Sequence, residues 1–214
     1  MASTFVWLAC AAAFASTAAP LLAKPAPIDD EIVCALVPDH AYDAAESGNV
    51  EAQAAIGAFL VDGPCGGDRP AVLEGVRWLE KASDLGHAKA ALRLGAMYDF
   101  GEGISSDPDR AALHYGRAAN AGMMEAQHRY GMILVSGGDA AKQAEGLFWL
   151  GAAANQGDSL AAAAVGLMHA RGLHGIVRDG CLALLWFDAS EEMGVPMSLE
   201  GLRGEVYANG DFEC

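Results

Sequence analysis

The chain has 214 residues, a formal net charge of −15 and 53% hydrophobic residues, with a mean hydropathy of +0.20. That length carries one sizeable core. The charge argues against nucleic acid, whose phosphates need a basic surface, and against an anionic lipid surface.

The first segment, "MASTFVWLACAAAFASTAAPLLAKPAPIDD", has no charged side chain before Lys24. An apolar stretch from Phe5 to about Phe14 precedes small residues and prolines, as in an export signal. Cleavage after Ala15 or Ala23 fits, so residues 1–23 are read as a signal peptide and 24–30 as a linker. The n-region lacks Lys or Arg, and an uncleaved anchor over residues 5–23 is the alternative. The reading predicts a periplasmic or secreted protein with no membrane insertion after cleavage.

From there the chain keeps a glycine rhythm. "GNVEAQAAIG", "GHAKAALRLG", "GMMEAQHRYG" and "GDSLAAAAVG" each open and close on glycine. The opening glycines are Gly48, Gly86, Gly122 and Gly157, with Gly194 as a fifth. Steps of 35 to 38 residues place the pattern among solenoids. Each opening glycine follows an alanine-rich apolar run and reads as the left-handed residue that ends a helix. The closing glycines, Gly57, Gly95, Gly131 and Gly166, fall inside the next helical pattern, where glycine costs about 1 kcal/mol against alanine. Close approach of neighbouring helices is the expected compensation.

Other columns agree. Eight residues before an opening glycine stand Trp78, His114, Trp149 and Trp186; seven before stand Leu79, Tyr115, Leu150 and Phe187. Four before stand Ala82, Ala118, Ala153 and Ser190. After the glycine, the fourth, eighth and twelfth positions form a largely apolar stripe. The prediction is an all-α fold, a right-handed α-solenoid of stacked helix-turn-helix repeats over residues 31–214, with about four repeats plus partial ends.

"AALRLGAMYDFGEGISSDPDRAALHYGRAANAG" (90–122) resembles the Sel1-like repeat, a relative of the tetratricopeptide repeat. It carries Leu94, Gly95 and Tyr98, then Gly101, Gly103 and Ile104, with Asp107 before the second helix. Asp179 stands at the same distance before Trp186, and "FWLGAAANQG" repeats the tryptophan, alanines and closing glycine. Plain tetratricopeptide units are the alternative. The resemblance implies a solenoid whose curved surface binds another protein, with exported relatives acting as regulators or assembly factors of bacterial envelopes. It also keeps two other classes in view: a cysteine-rich relative acting on β-lactams or cell-wall material, and a structural part of an envelope assembly.

Cysteines support the frame. Without Cys10 the mature chain holds Cys34, Cys65, Cys181 and Cys214, an even count that suggests two disulfides. Similar gaps of 31 and 33 residues favour Cys34–Cys65 and Cys181–Cys214, one at each end. Each closure is worth roughly 3–4 kcal/mol in the chain-entropy account.

Charge is zoned: residues 29–68 hold nine acids and no Lys or Arg, and residues 179–214 hold eight acids and one base. The bland reading is solvated ends; the sharper one is an acidic end that docks a basic segment. Positions three, seven and ten after the opening glycine define a second face. There Lys89, Arg93 and Arg129, with Met132, are candidate protein-binding residues on the concave side. Ordinary solvated surface is the competing reading.

Catalytic motifs are missing: no Ser-x-x-Lys, Gly-x-Ser-x-Gly, His-Glu-x-x-His or phosphate-binding loop is present. His114 and His169 replace apolar residues of their columns and read as packed. Asp107 before Pro108 reads as a helix cap. No cofactor or metal is called for.

Overall fold

The computed structural model describes residues 39–63, 69–137 and 139–208. The expected signal peptide and linker, Cys34, Cys65 and Cys214 lie outside the described residues. Cys181 lies within them and is disulfide-bonded.

Ten α-helices follow one another, with no strand among the described residues. They are α1 (Asp39–Glu46), α2 (Val50–Asp62), α3 (Arg69–Asp84), α4 (Ala88–Phe100) and α5 (Pro108–Asn120). Then come α6 (Met124–Gly137), α7 (Ala140–Asn155), α8 (Ser159–Arg171), α9 (Gly180–Glu192) and α10 (Glu200–Ala208). Four pairs, α2–α3, α4–α5, α6–α7 and α8–α9, pack most closely within themselves, and each also packs on the next. This is the expected all-α solenoid of stacked helix pairs. The first helices of neighbouring pairs also meet, α2 against α4 and α8 against α10, which puts them on the inside of the curve. No described helix is long and apolar enough to cross a membrane.

The opening glycines do what their rhythm predicts. All five have φ between 81° and 101°. At Gly86 the amide donates to Ser83 O (3.0 Å) and the next amide, His87 N, reaches back to Ala82 O (2.9 Å). That pair of bonds is a Schellman closure, and it needs a left-handed residue at the glycine. The same two bonds recur at Gly48, Gly122, Gly157 and Gly194. They explain the small column four residues earlier: Ala82, Ala118, Ala153 and Ser190 supply the far carbonyl and are fully buried.

The residue after the glycine often does a second job. Asn49 and Asp158 cap α2 and α8 through their side-chain oxygens, and His87 Nδ1 accepts from Ala90 N at 3.1 Å. A turn of two residues therefore ends one helix and starts the next.

The closing glycines sit where helices touch. A Cβ on Gly57 would come within 2.9 Å of Gly75 O; one on Gly131 would meet Leu150 Cγ at 2.8 Å and Gly146 O at 2.9 Å. Gly95 lies against the Tyr115 ring and Gly166 against the Phe187 ring. Close approach between the helices of a pair, backbone on backbone at Gly57 and Gly131 and ring on backbone at Gly95 and Gly166, is thus what offsets the low helix propensity. The column seven before the glycine fills the same seams: Leu79, Tyr115, Leu150 and Phe187 are buried.

Both histidines of the apolar columns pack. His114 is buried, stacks on Tyr98 (ring centroids 5.7 Å apart) and shares a 3.2 Å hydrogen bond between Nδ1 and Ser83 Oγ. Burial, followed by the nearby Arg117 charge, lowers its pKa from the ordinary value. His169 is half-buried, and its Nδ1 is buried with no hydrogen-bond partner among the described residues.

Candidate interaction surface

The inner face is built by positions three, seven, ten and fourteen after each opening glycine, one helical row. Along α2 these are Glu51, Ala55, Ala58 and Asp62; along α4 they are Lys89, Arg93, Ala96 and Phe100. Between the two rows lies a groove of about 360 Å³, lined among others by Glu51, Ala55, Ala58, Asp62, Lys89 and Arg93. Alanine at the middle of the α2 row, Ala55 and Ala58, is what leaves the space.

Lys89 and Arg93 do share this groove, but they differ in chemistry. The sequence reading treats Arg93 as a cation available to a partner's carboxylates. In the structure its Nε and Nη2 donate to Asp62 Oδ1 at 2.9 and 2.6 Å, and its Nη1 donates to Glu102 Oε2. Burial works against the charge, and the bonds to Asp62 and Glu102 more than offset it, so the guanidinium is held above its ordinary value. Arg93 therefore ties α2 and the 101–107 loop to α4, and its charge is already compensated. Lys89 has no ion-pair partner among the described residues.

Arg129, on α6, is one row further along. Its guanidinium carbon lies 5.2 Å from the centroid of the Phe100 ring, within cation–π range. Phe100 is 57% exposed, and Met132, one turn beyond Arg129, is 42% exposed. Leu160 of α8 continues the face and is also exposed. Along the curve the inner face thus changes from acidic and small at α2, through basic at α4 and mixed at α6 (Glu125, Arg129, Met132), to largely apolar at α8 (Leu160, Ala164, Leu167).

Phe100 was not among the predicted contact residues. The signal was present: it stands four residues past Ala96 on the same helical row, and the predicted face stopped at the tenth position. Sequence reasoning also missed His128, whose Nδ1 lies 2.7 Å from Asp158 Oδ2. That contact fixes α6 to the N-terminus of α8 through the same carboxylate that caps it.

The sequence profile of the Sel1 repeat matches residues 50–87, 88–123, 125–158 and 159–195. Each match spans one helix pair with its closing turn. Among solved structures the chain is similar to c5321, a protective antigen present in uropathogenic Escherichia coli strains that displays an SLR fold. Identity is 26% over 80% of this chain and 36% of that one, with a TM-score of 0.65, so this chain spans about a third of that protein's length. It is also similar to a Sel1 repeat protein from Oxalobacter formigenes, at 25% identity, 80% and 74% coverage and a TM-score of 0.57. No curated protein matches. Sel1 repeats generally mediate protein–protein interaction. With four consecutive repeats spanning well over half its length, the chain belongs to the Sel1 repeat family.

Proposed function

We propose that the protein is an exported adaptor or regulator of the bacterial envelope that binds another protein along its inner face. The observation that carries this reading is the patch of Phe100, Arg129 and Met132. Large apolar side chains stay exposed there beside a cation that no described carboxylate pairs with. Aromatic, arginine and methionine side chains are the types enriched at protein interfaces. Lys89 extends the patch toward the first pair. The N-terminal sequence supports export. So does the cysteine pattern, read as Cys34–Cys65 and Cys181–Cys214, which suits an oxidising compartment.

The test is site-specific photo-crosslinking in cells, with the crosslinker at position 132 or, as the control, at the exposed outer position 113. An adduct at 132 that disappears in the Phe100→Ala, Arg129→Glu double variant, with melting unchanged, supports the inner face. An adduct at 113 alone rejects it. N-terminal sequencing of the exported chain and a peptide map of its disulfides test localisation and pairing. A β-lactam turnover assay on the same material tests the enzyme alternative.

A further inference from the structure

A second groove, of about 800 Å³, opens on the outer side, between α3 and α5. Its floor is apolar: Pro70, Leu73 and Val76 of α3, and Ile104 of the loop. Leu73 is 46% exposed although its neighbour Val72 is buried. The loop 101–107 forms the far wall and is held in place. Gly103 lies against Val72, where a Cβ would come within 2.8 Å of Cγ1. Asp107 N donates to Tyr98 O at 2.9 Å.

The charges around this groove are mostly compensated within the chain. Glu80 Oε1 accepts from the Tyr98 hydroxyl at 2.8 Å and from Arg110 Nη1 at 3.3 Å. Arg110 Nη1 also donates to the Tyr98 oxygen at 2.6 Å. Asp107 caps α5 through Arg110 N. Arg77 is different. It lines the groove, is exposed, stands one helical turn from Leu73, and pairs with no described carboxylate. At its register the later outer helices carry Leu113, Phe148 and Leu185, so the cation belongs to this groove alone.

We propose that this groove binds an extended segment of another protein in which an Asp or Glu adjoins a bulky apolar residue. The carboxylate meets Arg77, and the apolar side chain lies over Leu73, Pro70 and Ile104. Charge complementarity selects this occupant: in a chain of net charge −15, the groove presents a cation that no described carboxylate pairs with, beside an uncovered leucine. The surface is separate from the inner face, and Phe100 and Arg129 do not line it.

The experiment is selection of random dodecapeptides displayed on phage against the full chain. Enriched peptides are then synthesised with a fluorescent label and titrated. The expected consensus holds an acidic residue within two positions of Leu, Ile, Phe or Met. Binding weakens about tenfold or more in Arg77→Glu and in Leu73→Ser, is kept in Arg77→Lys, and is unchanged in the Phe100→Ala, Arg129→Glu double variant. Both groove positions are exposed, and circular dichroism verifies that the variants fold. No enrichment, a consensus without the acidic–apolar pair, or full affinity in Arg77→Glu overturns the proposal. Loss only in the inner-face variant overturns it as well and assigns the peptides to the inner face.

Discussion

The second and fourth helix pairs share one backbone and differ in chemistry. In both, a left-handed glycine, Gly101 or Gly172, ends the first helix. In both, an aspartate amide returns to the same helical position: Asp107 N to Tyr98 O at 2.9 Å, and Asp179 N to His169 O at 3.0 Å. Each aspartate then caps the second helix. Above that frame the two diverge. The Tyr98 hydroxyl is engaged by Glu80 and Arg110. His169 Nδ1 has no hydrogen-bond partner among the described residues, because Gly151 stands at the register of Glu80 and Leu182 at that of Arg110. Glycine and aspartate punctuation fixes the path of the chain, and the side chains on that path vary independently of it.

The largest expected effect tests the frame. Gly131→Ala places a Cβ against Leu150 and the Gly146 carbonyl, and should cost about 2–3 kcal/mol. Gly151→Ala, on α7, meets nothing within 4 Å and should stabilise by up to about 1 kcal/mol through helix propensity. Denaturant midpoints moving in the same direction for both variants would break the distinction between seam and surface glycines. Next is Gly86→Val. The space there is open, so the cost of roughly 1–2 kcal/mol comes from the left-handed backbone alone. Lys89→Ala three residues away should leave melting nearly unchanged, and equal melting of the two would contradict the turn's role.

The second and fourth pairs themselves are compared by Tyr98→Phe and His169→Leu. The first deprives Glu80 and Arg110 of a shared partner and should cost about 1 kcal/mol. The second removes an unsatisfied buried nitrogen and should leave stability equal or higher. Thermal melts showing His169→Leu to be the more damaging change would mean that His169 has a role outside the packing described. The smallest effect is on pH. The native pKa of His114 lies below the ordinary 6.5, so the unfolded chain binds the proton more readily. Its contribution is complete above about pH 6.5 and is lost as pH falls toward the native value. His114→Asn should flatten the part of the pH–stability curve that this group supplies.

The fold was legible because its turns demand particular residues. A Schellman closure needs a left-handed residue, and Gly48, Gly86, Gly122, Gly157 and Gly194 stand at those closures. Asp107 and Asp179 were readable as caps for a similarly local reason. The surfaces were less legible because they join residues far apart in sequence. Nothing local to Arg93 shows that Asp62 and Glu102 compensate it. The outer groove needs α3, the end of α4, a loop and the start of α5 together. His87 escaped notice as a cap because its imidazole must face the helix through Nδ1 as acceptor, which depends on the tautomer.

The tight glycine seams have a mechanical consequence. Gly57, Gly95, Gly131 and Gly166 each lock two helices of the same pair. Gly116, beneath the Tyr130 ring, is a seam between pairs and a looser one, at 3.2 Å. Pairs packed more tightly than the junctions between them should behave as a spring. Under tension such a chain should first open its curvature, tilting pair against pair, before any helix unravels. In a pulling experiment this is a reversible extension that precedes the stepwise loss of pairs. A partner that fits the inner face imperfectly can then be met by a small change of curvature, with every helix kept whole.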